Sequence, residues 1–230
     1  MNRDMNLKRR ALILGFWSSI AVAVFIIGFV VALIFTFSPN FAEWNGIEAY
    51  AKDFKSLQML TVFPSIFLAS AYVVFTVSIH YYAEDEKKIW SHLSIVFGLM
   101  YAIISTINYL IQIITVMPNI QNQQLSGLDA FVAGYPNSIF YALMASYFFM
   151  CISAIFIALV FNSDKGQKEI RILFIGSGLA IPLCLLSIFV SASFVLPLAG
   201  FIWFVCMTAG FIKIAIYFWK ILTFKDAMHG

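Results

Sequence analysis

Long apolar runs follow one another along this chain, separated by short polar stretches. Six stand out, at 11–37, 57–82, 93–117, 138–161, 172–190 and 198–222. A helix needs about 20 mostly apolar residues to cross roughly 30 Å of hydrocarbon, and every run reaches or nearly reaches that length. Strands of a membrane barrel need only about 9 to 11, and backbone groups in lipid must be satisfied within their own segment, so the runs predict helices. The expected fold is all-α: a polytopic transmembrane bundle of six spans, with residues 1–230 forming a single domain.

The first run follows Lys8, Arg9 and Arg10 and has the outline of a signal peptide. It is too long for a secretory apolar region of about 7 to 15 residues and ends at Phe35-Thr36-Phe37-Ser38-Pro39-Asn40 with no small-x-small cleavage site, so it reads as a retained span. Composition agrees: 62% of residues are hydrophobic and 11% charged, which excludes a water-soluble domain.

Charge gives the expected orientation. Arg3, Lys8, Arg9, Arg10, Lys87, Lys88, Lys165, Lys168, Arg171, Lys220 and Lys225 fall on one side, while the other has only Lys52 and Lys55. By the positive-inside rule both termini are cytoplasmic, N-in and C-in, in the cell membrane. The net charge of +3 then reflects topology and attraction to anionic lipid heads, and the dispersed basic residues argue against a nucleic-acid partner. Trp17, Tyr81, Tyr82, Trp90, Tyr217 and Trp219 are expected as anchors at the inner boundary, and Trp44, Tyr135 and Trp203 at the outer one.

In the first outer loop Pro39 and Asn40 suggest a helix start. Phe41, Trp44, Ile47, Ala51 and Phe54 then recur at steps of three and four, with Glu43, Glu48, Lys52, Asp53 and Lys55 between them. This predicts a short amphipathic helix in the outer interface, or a lid over a ligand cavity. The third loop, 118–136, leaves open a second surface helix or irregular chain.

The pattern nearest to chemistry is a polar stripe. Ser94, Gly98, Tyr101, Ser105, Asn108, Gln112 and Thr115 occupy about 100° of the third span, facing a counterpart of Ser65, Ala69, Tyr72, Thr76 and His80 on the second. Antiparallel pairing through the short loop predicts His80 near Ser94, and Thr76 near Tyr101 and Ser105. Polar side chains in a membrane turn towards protein, so both stripes are expected to face the bundle interior. They either hold helices together or line a pocket for a small amphipathic molecule or lipid, with Tyr72, Thr76, Tyr101, Ser105, Asn108 and Gln112 as the ligand-facing set.

Other chemistry is sparse. No Asp or Glu lies within a run, which removes the usual carrier of a proton or sodium relay. Lys213 is the one charge set deep within a span, about 10 Å of helix rise inside Lys220, and is expected to snorkel towards the cytoplasmic heads. Pro182 is expected to bend the fifth span. Cys151, Cys184 and Cys206 form no CxxC pair and read as packing residues, and His80 with His92 brackets an acidic and basic run without metal-ligand spacing. No metal, cofactor or catalytic residue is assigned, and an intramembrane enzyme ranks behind both a small-molecule carrier and a non-catalytic membrane partner or assembly protein.

Ile107-Asn108-Tyr109-Leu110-Ile111-Gln112, followed by Tyr135-Pro136-Asn137-Ser138-Ile139-Phe140-Tyr141-Ala142-Leu143, resembles a family of small uncharacterised multi-pass membrane proteins of bacteria and archaea. The likeness covers the third and fourth spans. It implies the same six-helix topology and carries over no catalytic residue.

Overall fold

The computed structural model describes residues 2–36, 44–133, 135, 137–162, 166–189 and 194–227. Among them there is no strand, and six helical stretches are long and apolar enough to cross a membrane, giving the expected multi-pass all-helical bundle. The first span is α1 (Asn2–Thr36) and the second is α3 (Val62–Tyr82). The third comprises α4 (Lys88–Ile111), a π-helical turn (Gln112–Val116) and α5 (Met117–Gln121). The fourth comprises α6 (Ile139–Met144) and α7 (Ser146–Val160), the fifth α8 (Lys168–Gly178) and α9 (Ala180–Phe189), and the sixth is α10 (Val195–Ala227). An even number of spans puts both termini on one face of the bundle, the near face.

The spans close into a ring in chain order: α1 packs on α3, α3 on α4, α4 on α7, α7 on α8, α8 on α10, and α10 returns to α1. Aromatic side chains occupy the middle. The Phe211 ring stands edge-on to Tyr72, Phe75 and Phe174, with centroids 6.1, 4.8 and 5.2 Å away, and all four residues are fully buried. Gly15 lets α10 approach α1: a Cβ there would run into the Phe218 ring and lie 3.0 Å from Ser78 Oγ.

Two spans are broken where their sequence demands it. Pro182 lacks an N–H and its ring opposes the carbonyl of Gly178, and the fifth span breaks one residue later, with Leu179 bonding back to Gly176 at 3.0 Å. Pro118 meets the same obstacle at Ile114. There the chain widens into the π turn, Met117 N–H bonds to the Gln112 carbonyl, and the helix continues.

The third span overshoots its predicted end. Its helical stretch Asp85–Gln121 has 37 residues, about 55 Å at 1.5 Å each, against about 40–45 Å for a bilayer with its head groups. The far end of this stretch carries a small second core. Val116, Ile120, Leu128 and Val132 are buried there, covered by Trp44, Ile47, Tyr50 and Phe54 from the first loop and by Leu125 and Tyr135 from the third.

The amphipathic segment does form a helix, α2 (Ile47–Asp53), and its apolar face packs on this far-face cap. Pro39, Asn40, Phe41 and Glu43 lie outside the described residues. Trp44 and Tyr135 pack on each other with centroids 5.0 Å apart and are half-buried. Trp203 is no anchor, being buried against Tyr147 at 5.3 Å. On the near face Trp17, Tyr81, Trp90 and Trp219 are exposed, as interfacial anchors are.

Candidate functional site

All six residues of the ligand-facing set are buried. The register between the two stripes is about one turn off the expected one. His80 Nδ1 lies 2.9 Å from Ser91 Oγ rather than at Ser94, and Thr76 lies against Gly98 rather than Tyr101 and Ser105. The connection explains the shift: α3 runs to Tyr82 and α4 starts at Lys88 after one 3-10 turn, so the pairing begins closer to the loop than the apolar run suggested. At Gly98 a Cβ would sit 3.2 Å from the Tyr72 ring and 3.3 Å from Thr76 Cγ2, so the missing side chain lets α3 and α4 approach.

The near half of the stripe is satisfied within the protein. The Tyr72 hydroxyl donates to the Met150 carbonyl at 3.2 Å, and Thr76 bonds back to Val73 at 2.9 Å. Ser94 and Ser153 bridge α4 and α7, with hydroxyls 3.1 Å apart and Ser153 donating to the Ser94 carbonyl at 2.7 Å. Tyr72 and Thr76 thus have their hydrogen-bond partners within the protein.

The far half differs. Asn108 Nδ2 donates to the Phe140 carbonyl at 3.3 Å, and Gln112 Nε2 to the Phe131 carbonyl at 2.9 Å, so the two amides tie the third span to the start of the fourth and to the third loop. Their own carbonyl oxygens, Asn108 Oδ1 and Gln112 Oε1, are buried without a hydrogen-bond partner, while Tyr101 OH on the same stripe faces Ser105 Oγ and the Tyr147 hydroxyl without closing to hydrogen-bond geometry. Ser138 and Ser146 on the fourth span and Trp203 Nε1 and Thr208 Oγ1 on the sixth are likewise buried without a closed hydrogen bond. Buried polar groups normally find partners, and leaving one unpaired costs roughly 1–3 kcal/mol.

Two of these groups, Tyr101 and Trp203, meet at a residue the stripe did not contain. The Tyr147 ring stands edge-on to Tyr101 and to Trp203, both at 5.3 Å, and its hydroxyl is 3.2 Å from that of Tyr109. Tyr147 sits in an apolar run without helical polar neighbours, and Tyr109 lies off the arc of the stripe, so no periodic signal marked either one.

A second polar assembly closes the near face. Lys87 Nζ donates to the Val160 carbonyl at 3.0 Å and to Asn162 Oδ1, and the Asn162 N–H donates to Gln167 Oε1 at 2.8 Å. Gln167 Nε2 reaches Tyr217 OH at 3.0 Å, which lies 3.1 Å from Tyr82 OH. A cleft of about 210 Å³ opens beside this network, bordered by Lys8, Glu84 and Lys87. Lys87 already has three acceptors around it, with Glu84 Oε2 the third at 4.0 Å, so the network serves to link loops.

The remaining candidates resolve simply. Lys213 does not reach for lipid heads alone: its ammonium lies 2.5 Å from Glu169 Oε2, in the first turn of α8. His80 and His92 do meet, with rings 4.2 Å apart, but among the described residues no group of three or more metal-ligating side chains assembles. All three cysteines are free thiols. A comparison with family models, with curated proteins and with solved structures finds no match.

Proposed function

We propose that the protein binds a small amphipathic molecule or lipid in the far half of its bundle, at the seam between the third, fourth and sixth spans, in a cell membrane with both termini in the cytoplasm. The observation that carries this reading is the set of buried polar atoms without a closed hydrogen bond on Tyr101, Ser105, Asn108, Gln112 and Ser146, with the Tyr147 ring packed between those of Tyr101 and Trp203. Mostly apolar pockets with a few placed polar groups are the usual form of a ligand site. The amide nitrogens of Asn108 and Gln112 are held by backbone carbonyls, which fixes their oxygens as acceptors. A ligand suited to them brings a donor, such as an alcohol or amine, with an apolar body for the rings.

A second reading has its own support. The same amide bonds, together with the Ser94–Ser153 bridge, are what a non-catalytic partner or assembly protein would use merely to fix its helices. Removing two hydroxyls of this set with Tyr101→Phe and Ser105→Ala separates the two. Neither change breaks a protein hydrogen bond of normal length, so the purified double variant is expected to unfold at the same temperature or higher while losing a copurifying small molecule seen by mass spectrometry. An unchanged set of bound molecules would leave the packing reading standing.

A further inference from the structure

We infer that the groove between α1 and α10 is a site for one anionic phospholipid, separate from the seam of the third, fourth and sixth spans. The groove has a volume of about 560 Å³ and is walled by apolar side chains, among them Ile20, Ala23 and Ile27 of α1 and Ile212, Ala215 and Ile216 of α10. Val24, Ile27, Ile212 and Ile216 are exposed on the outside of the ring, so the groove faces lipid.

Its dimensions select an acyl chain. From Phe16 to Ile27 the helix rises about 16 Å. One leaflet contributes about 15 Å of hydrocarbon, half of the core thickness. The groove thus spans the chain region of a single leaflet and ends near the near-face boundary, where Phe16 and Trp219 pack with centroids 5.3 Å apart.

Charge selects the head. Lys220 borders the same groove at that end, beside Trp219, and no carboxylate pairs with it among the described residues. An apolar slot of leaflet depth that ends in an ammonium matches a lipid phosphate with its chain lying inwards. Free phosphate would leave the apolar walls uncovered, and a helix from a second copy would leave the ammonium without a counter-charge.

The test uses the full chain in detergent, titrated with phosphatidylglycerol or phosphatidylcholine of identical acyl chains and read by native mass spectrometry. One phosphatidylglycerol is expected to be retained in preference to phosphatidylcholine by about fivefold, the contribution of one lysine near a surface towards an anionic head. Lys220→Gln should remove the preference and Lys220→Arg keep it. Val24→Trp with Ile216→Trp alters exposed positions and fills the slot, and should reduce retention of both lipids. The inference is overturned if Lys220→Gln keeps the preference, if the filled variant binds as before, or if groove filling instead dissociates a dimer.

Discussion

The ammonium of Lys87 lies 3.0 Å from the carbonyl oxygen of Val160, the last residue of α7. A helix ends with unsatisfied carbonyls and partial negative charge, so a lysine there both donates a hydrogen bond and answers the dipole. Lys87 comes from the loop between the second and third spans, and with Asn162 it ties that loop to the end of the fourth. Its side chain is only 20% exposed, so the contact is partly shielded from salt.

Lys87→Met should therefore lower stability by about 1–2 kcal/mol, combining a charge-assisted bond with the dipole effect. Thermal unfolding in detergent at low and high salt would measure it. A loss that disappears at high salt would show an ordinary surface charge effect instead.

Asn108 and Gln112 make a second structural prediction. Each donates from its amide to a backbone carbonyl across the α4 seam. Contacts of this kind average about 0.6 kcal/mol in a membrane bundle, so Asn108→Leu with Gln112→Leu should destabilise by about 1 kcal/mol. A more stable double variant would mean that burying the partnerless Oδ1 and Oε1 outweighs both ties.

Spans and facing were legible because lipid makes them so. Apolar length sets a span, and polar atoms in hydrocarbon must turn inwards, which is why Ser105, Asn108 and Gln112 are buried as the stripe implied. Register was less legible. The meeting of Thr76 with Gly98 depends on where α4 starts, and a polar loop of mixed charge does not announce a 3-10 turn. The cap was half legible: α2 follows from its periodicity, but its partner surface combines the end of the third span, beyond the π turn, with single apolar residues of the third loop that carry no periodic signal. The gathering around Tyr147 was not legible, because tertiary packing brings together single residues from three spans.

The proposed orientation rests on the eleven-to-two division of basic residues between the two ends of the spans. Reporter fusions after Glu86, after Gly166 and at the C-terminus are expected to give a cytoplasmic signal, and a fusion after Gln123 in the far-face cap the opposite. A C-terminal reporter active outside the cytoplasm would reverse the proposed orientation of the whole ring.

The cap should respond to alkali. The burial of Val116, Ile120 and Val132 holds it together. Tyr50 belongs to its cover, and burial, with a smaller contribution from Tyr141, pushes its phenol from the usual 10.0 up to about 12. Because the folded value is the higher one, this contribution is fully present below about pH 10 and is lost as pH rises through about 12. Protease cleavage near Gln123 should thus be slow at neutral pH and accelerate over that window, while the membrane-embedded spans stay protected. Tyr50→Phe removes the titrating group and should flatten the profile; an unchanged alkaline rise in that variant would assign the opening to some other group.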